Sequence, residues 1–344
     1  MSKQQQNAVR LLQKLTWYKI YNMLLVYVSF YLTKILKHPI QFGKPFSVSI
    51  EPTTSCNLRC PECPSGLRSF TRPIGMLQEG FYKKTIDELK NHLLYLTFYF
   101  QGEPYLNPKF LEMVQYANQQ KIYTSTSTNA HYLNDENAKK TIQSGLDRLI
   151  ISIDGTTQET YKQYRIGGQL SKVLEGTKNI IRWKKALNSA TPLVIFQFLV
   201  VKHNEHQIED LKLIAKEYGV DEVLFKTAQV YDFENGNDLI PTIDKYSRYK
   251  KLDNGKYVIK NLLENSCWKL WHSCVITWDG KVVPCCFDKD AQHQLGDLNT
   301  QSFNEIWKNE AYKNFRVQLT KGRKEIDICK NCSEGCDVNF KYEF

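Results

Sequence analysis

SVSIEPTTSCNLRCPEC, residues 47–63, joins a β-rich run to a loop holding three cysteines, Cys56, Cys60 and Cys63. Five further β-rich runs follow: YLTFYF (95–100), YTSTSTN (123–129), RLIISID (148–154), LVIFQFLVV (193–201) and EVLFKTAQV (222–230). Between them lie stretches of helical character, FYKKTIDELK (81–90), KFLEMVQYANQQ (109–120), NDENAKKTIQSG (134–145), VLEGTKNIIRWKKAL (173–187) and IEDLKLIAKEYG (208–219), with Gly145 and Gly219 as stops. Such repetition predicts an α/β fold with a parallel sheet, open or curled into a partial barrel. The loops at the strand C-terminal ends then build the site, and the three thiols sit in the first of them.

The rest of the chain bounds the possibilities. Its 344 residues can bury a large core, which excludes a disordered chain. A formal charge of +10 favours anionic partners without selecting one, and an ordinary basic surface explains it equally well. The ten cysteines fall into a front group and a back group, with none in residues 64–266, and their spacings are too tight for a disulfide framework. With no cleavable signal peptide in view, the thiols read as reduced metal ligands in a cytoplasmic protein.

Residues 11–36 are apolar and aromatic, but Lys19 and Lys34 bound an uncharged run shorter than a spanning helix requires. Two readings stand. An interfacial helix would set Trp17, Tyr18, Leu24, Leu25, Phe30 and Leu32 at headgroup level, with Lys14, Lys19, Lys34 and Lys37 reaching phosphates on the inner face of the membrane. Alternatively the same apolar surface packs on the main domain. The expected division is a helical segment at 1–43, the strand–helix domain at 44–231, a polar connector at 232–265 and a cysteine-rich module at 266–344. Within that module VITWDGKVVPCC (275–286) predicts a hairpin turning at Asp279-Gly280.

Three thiolates in one loop leave a metal site incomplete. Structural zinc normally closes with four protein ligands, whereas a cubane held by three cysteines keeps one iron open for an outside ligand. A zinc knuckle remains the competing reading of the triplet alone. The Cys-x3-Cys-x2-Cys spacing after the first strand resembles the radical S-adenosylmethionine superfamily. That resemblance implies a partial (β/α)6 barrel and a [4Fe–4S] cluster whose open iron is chelated by the methionine amino and carboxylate groups. One electron then cleaves S-adenosylmethionine to a 5′-deoxyadenosyl radical, which abstracts a hydrogen atom from substrate. The chain departs from many members at Glu62, where they carry an aromatic residue.

The resemblance also implies cofactor-binding residues at successive strand ends. Gly102 and Glu103 of QGEP match the motif that contacts the methionine amino group. Thr128 and Asn129 end the third run, Ser152 and Asp154 the fourth, and Arg165 in YRIGG stands where an arginine pairs the cofactor carboxylate.

Cys267, the Trp278-Asp279-Gly280 turn, Pro284-Cys285-Cys286, Leu295-Gly296-Asp297-Leu298, Glu305-Ile306-Trp307 and Cys329-x2-Cys332 are similar to the SPASM module, which carries auxiliary four-iron clusters. The full module has more cysteines than this chain. The shortage implies one auxiliary [4Fe–4S] cluster on Cys267, Cys285, Cys329 and Cys332, with Cys274 and Cys336 as substitutes and a structural zinc site as the alternative.

The expected function is oxidative modification of a peptide or protein side chain, with an electron donor such as flavodoxin or ferredoxin. The same radical chemistry on a sugar or lipid-linked glycan precursor is the alternative, and a non-catalytic zinc or cluster-bearing module is the alternative of another class. No nucleic-acid motif is present, and no nucleic-acid partner is expected.

Overall fold

The computed structural model describes residues 2–335 and 339–343; Cys336, one of the substitute ligands, lies outside them. The strands are β1 (Ser47–Ile50), β2 (Tyr95–Thr97), β3 (Tyr123–Thr128), β4 (Arg148–Ser152), β5 (Leu193–Val200) and β6 (Glu222–Thr227), followed by β7 (Tyr249–Lys251), β8 (Tyr257–Ile259), β9 (Ser273–Ile276), β10 (Lys281–Val283), β11 (Gly296–Asp297) and β12 (Asn339–Glu343). The first six fall within the six β-rich runs, and each successive pair encloses a helix, as the alternation predicts. Two compact units result. One comprises residues 1–55, 70–125 and 263–334, the other 56–69, 126–262 and 335–344.

In the first unit β1 pairs in parallel with β2 on one side and β9 on the other, and β2 continues in parallel to β3. The predicted hairpin forms: β9 and β10 are antiparallel, with Val282 opposite Ile276, and Gly280 takes a φ of +89° in the turn. Buried Glu51, just after β1, anchors that hairpin. Its carboxylate takes both ends of the Arg72 guanidinium, at 2.8 and 2.6 Å, and accepts from the Trp278 N–H at 3.2 Å.

Residues 11–36 are not one helix. Thr16 caps a second helix, so that α1 spans Lys3–Gln13 and α2 spans Trp17–Leu36. The face α2 turns inward is polar: Lys19, Asn22, Ser29 and Thr33 are buried together with Val26. Lys19, expected to reach lipid phosphates, instead donates to the carbonyls of Lys14 and Lys121 at 3.2 and 2.6 Å, and burial lowers its pKa to about 8. Among the described residues no helix is long and apolar enough to cross a membrane.

In the second unit β4, β5 and β6 are parallel neighbours, and β12 closes on β6 antiparallel, with Phe340 opposite Phe225. Residues 232–265, read from sequence as a connector, contain the β7–β8 hairpin, and Tyr249 and Ile240 bury against Val201, Ala228 and Val230. Asn254-Gly255 was the available turn signal, since Gly255 has a φ of +82° between the two strands.

Candidate functional site

In the second unit the cysteine loop is held by close packing and backbone bonds. Gly66, in the helical turn Pro64–Leu67, lies so near the Cys60 backbone that a Cβ there would sit 2.5 Å from its N and O. The Arg59 N–H donates to the Ile166 carbonyl at 2.9 Å, tying the loop to the segment after Arg165. Leu58, Cys60 and Tyr164 form a buried cluster against which Cys56 and Cys63 pack. None of the three is in a disulfide, and among the described residues of this unit they are the only cysteines. Three sulfurs in one loop fit a cube with one iron left open.

Arg165 brings a positive charge to this loop. Its Nε donates to Asp154 Oδ2 at 2.5 Å and its NH1 lies 3.7 Å from Cys60 Sγ. Burial pushes the Cys60 thiol up, and the guanidinium opposes that shift. Burial also disfavours the charge on Arg165, but Asp154 and Cys60 override it and keep the guanidinium protonated. Asp154 is fully buried, and its other oxygen accepts from the Leu199 N–H at 2.7 Å. Both carboxylate oxygens therefore have protein donors, an arrangement that orients Arg165.

Asn129 donates to Asn57 Oδ1 at 2.8 Å and lies 3.9 Å from Cys56 Sγ. Ser152 Oγ meets Ser127 Oγ at 3.4 Å. Thr128, by contrast, is buried and its hydroxyl accepts from the Ala130 N–H at 3.0 Å. The period of two along β3 puts Ser127 and Asn129 on one face and Thr128 on the other, a signal that would have added Ser127 to the sequence-derived set. Glu62 accepts from the Tyr231 N–H at 3.0 Å, so the residue that departs from the family pattern ties down the chain after β6.

In the first unit Gly102 has a φ of +74°, and a Cβ there would lie 2.2 Å from the Thr53 carbonyl oxygen and 2.8 Å from that of Ser55. No other residue fits so close a backbone approach. The Glu103 N–H donates to the Ser55 carbonyl at 2.8 Å, and its buried carboxylate accepts from the Tyr105 N–H at 3.3 Å.

The same unit collects the rear cysteines. Burial pushes Cys267 up to about 11 and Cys329 up to about 12, and Cys332 adds to both shifts. Burial raises the Cys285 thiol as well, with Cys286, Cys267 and Cys332 as neighbouring thiols. Cys267 and Cys332 thus stand near both Cys285 and Cys329, and Cys286 adjoins Cys285. Of the other two described cysteines, Cys274 is buried beside Tyr312 and Arg316, and Cys286, next to Cys285, lies 3.6 Å from Lys269 Nζ. Sequence reasoning missed Arg323, a buried guanidinium that donates to Cys332 Sγ at 3.3 Å and to the carbonyls of Glu334 at 2.9 Å and Ser266 at 3.0 Å. Nothing local marks it, because its partners come from two separate segments, one at Ser266 and one at Cys332 and Glu334. Among the described residues no three His, Cys, Asp or Glu side chains converge on a point fit for a single ion. Ligands of a cube are instead divided among separate irons.

The Radical SAM superfamily model matches residues 50–215, and SPASM, an iron–sulfur cluster-binding domain, matches residues 267–333. Mycofactocin maturase MftC of Mycobacterium ulcerans is 30% identical over 287 residues, covering 77% of this chain and 75% of that protein. A tungsten-containing aldehyde ferredoxin oxidoreductase cofactor-modifying protein of Pyrococcus furiosus is 26% identical, covering 84% and 88%. PqqA peptide cyclase of Bradyrhizobium diazoefficiens is also 26% identical, covering 85% and 79%. Among solved structures, Streptococcus suis SuiB bound to S-adenosylmethionine superposes with a TM-score of 0.64 at 15% identity, over 89% of this chain and 76% of that one, which shows the partial-barrel α/β fold. The chain belongs to the radical S-adenosylmethionine superfamily with a SPASM domain, and is an enzyme that uses S-adenosylmethionine, a [4Fe–4S] cluster and auxiliary iron–sulfur ligation.

Proposed function

We propose that this enzyme oxidatively modifies a peptide or protein side chain. The chemistry rests on the three-thiol loop, with Arg165 set against Cys60. The substrate class rests on similarity to a peptide cyclase and a maturase. Bound at the loop, S-adenosylmethionine supplies a 5′-deoxyadenosyl radical on one-electron reduction. Cys56, Cys60 and Cys63 hold the cluster, and the cofactor-side residues of the second unit are Asn129, Ser152 and Arg165, with Thr128 shaping the strand end. Asp154 is a positioning residue that holds the Arg165 fork. Gly102 permits the close backbone approach at QGEP, and Glu103 supplies the carboxylate expected for the methionine amino group. One auxiliary cluster sits on Cys267, Cys285, Cys329 and Cys332. The limits of the two family matches support the proposed division into a barrel at 44–231 and a cluster module at 266–344.

The electron donor in this reading is a flavodoxin or ferredoxin in the cytoplasm, and residues 11–36 make a peripheral membrane contact. Reconstituted enzyme given dithionite and S-adenosylmethionine is expected to release 5′-deoxyadenosine. Co-expression with short peptides encoded beside its gene is expected to yield one that has lost hydrogen, read by mass spectrometry. Consumption of a sugar or lipid-linked glycan, with every such peptide unchanged, would overturn the peptide reading.

Arg165→Lys is expected to keep the iron content while raising KM for S-adenosylmethionine by roughly tenfold or more, because an ammonium keeps the charge and loses the planar fork. An unchanged KM refutes the role given to Arg165.

A further inference from the structure

Helix α2 is inside out. Its buried stripe is polar, and that stripe is used up by the extended segment at residues 40–44 folded back along it. Asn22 Nδ2 donates to the Lys44 carbonyl at 2.9 Å and its Oδ1 accepts from the Lys44 N–H at 2.8 Å. Ser29 Oγ accepts from the Phe42 N–H at 2.8 Å, and Thr33 Oγ1 from the Ile40 N–H at 2.9 Å. Gly43 makes the approach possible, since a Cβ there would lie 2.6 Å from Val26 Cγ2. The Trp271 and Trp307 indoles donate to the carbonyls of Ile40 and Gly43, both at 2.9 Å, and lock the segment from its other side.

Much of the apolar surface of α2 consequently points outward. Trp17 is 87% exposed and Ile35 73%, with Tyr18, Tyr21, Leu24 and Tyr31 between 56% and 60%. They recur at three- and four-residue steps, so they share one face of a 20-residue helix. Phe30 lies off that face, packed edge-on against Trp268 and Trp271.

Resting on the peripheral membrane contact proposed above, we infer that this outward face of α2 is the docking surface and that its occupant is an anionic lipid bilayer. Charge complementarity selects that occupant. Residues 1–50 contain seven Lys or Arg and no Asp or Glu, and of the seven only Lys19 is buried. Lys34 and Lys37, at the end of the helix, are exposed beside the apolar face. Trp and Tyr suit the headgroup level, where an apolar ring can bury while its polar tip stays hydrated, and lysines reach phosphates from the rim. The helix lies in the interface and does not span it.

The test uses full-length reconstituted protein sedimented with phosphatidylcholine vesicles and with vesicles of phosphatidylglycerol and phosphatidylcholine in equal parts, at low and moderate salt. Pelleting is expected with the anionic vesicles and should weaken as salt rises. Leu24→Glu/Ile35→Glu touches only exposed positions and should weaken binding roughly tenfold or more, with 5′-deoxyadenosine release unchanged. Wild-type protein that stays in the supernatant, or equal pelleting of wild type and double variant, overturns the inference. Sedimentation velocity without lipid tests the other occupant: a dimer that the double variant converts to monomer assigns the face to a second copy, and also overturns it.

Discussion

Cys60→Ala enzyme, reconstituted with iron and sulfide, is expected to release no 5′-deoxyadenosine above background. The loop offers three thiols and, among the described residues, its unit has no fourth cysteine to take over. Removing one leaves a second iron without a protein ligand, so the cube is lost and reductive cleavage with it. Cys60 is also the thiol nearest Arg165, at 3.7 Å, and packs with Leu58 and Tyr164. Truncation to alanine removes a single sulfur from that cluster, a change small enough for the fold to survive. Circular dichroism separates unfolding from cluster loss, and Cys60→Ser supplies a variant of nearly native volume. Cleavage retained by either variant at the wild-type rate would mean that Cys60 is not a ligand.

The second large effect separates the two cluster sites. Cys329→Ser/Cys332→Ser is expected to remove about four irons per chain while leaving S-adenosylmethionine cleavage intact and abolishing substrate conversion. Serine keeps the volume and an acceptor for Arg323, whose guanidinium is buried and donates to Cys332 at 3.3 Å. An unfilled donor there would itself cost about 1–3 kcal/mol, which makes alanine the poorer choice. Iron and sulfide assays read the first outcome, 5′-deoxyadenosine the second, and peptide mass the third. Iron content equal to wild type would remove these two cysteines from the ligand set.

Much of this was legible in the chain because it depends on local order. Strand and helix signals recur at short range, and Asp279-Gly280 forces a turn wherever it stands between two short strands. Asn254-Gly255 was equally local and escaped only because the polar residues around it hid the β7–β8 hairpin. The front cysteine triplet was legible because thiols in one loop need no tertiary information to be near each other.

Residues whose role depends on distant partners were not legible. Arg323 joins Ser266, Cys332 and Glu334, and Glu51 joins Arg72 to Trp278, across separations that no spacing rule reaches. Asp154 is buried with its oxygens accepting from the Leu199 N–H and the Arg165 Nε, contacts that no local pattern announces.

By itself the sequence determined the α/β alternation, the two cysteine groups and the radical chemistry they carry, because period, turn residues and ligand spacing act over a few residues. Only the tertiary structure decided which face of Trp17–Leu36 is buried. The apolar run left two readings open, an interfacial helix or a helix packed on the main domain, and hydropathy does not choose between its faces. The polar face is the buried one because Asn22, Ser29 and Thr33 satisfy backbone groups of residues 40–44 and Lys19 reaches the carbonyl of Lys121, partners that exist only once the chain has folded back. A polar group is buried where its hydrogen bonds are met, and where they are met is a property of the whole fold.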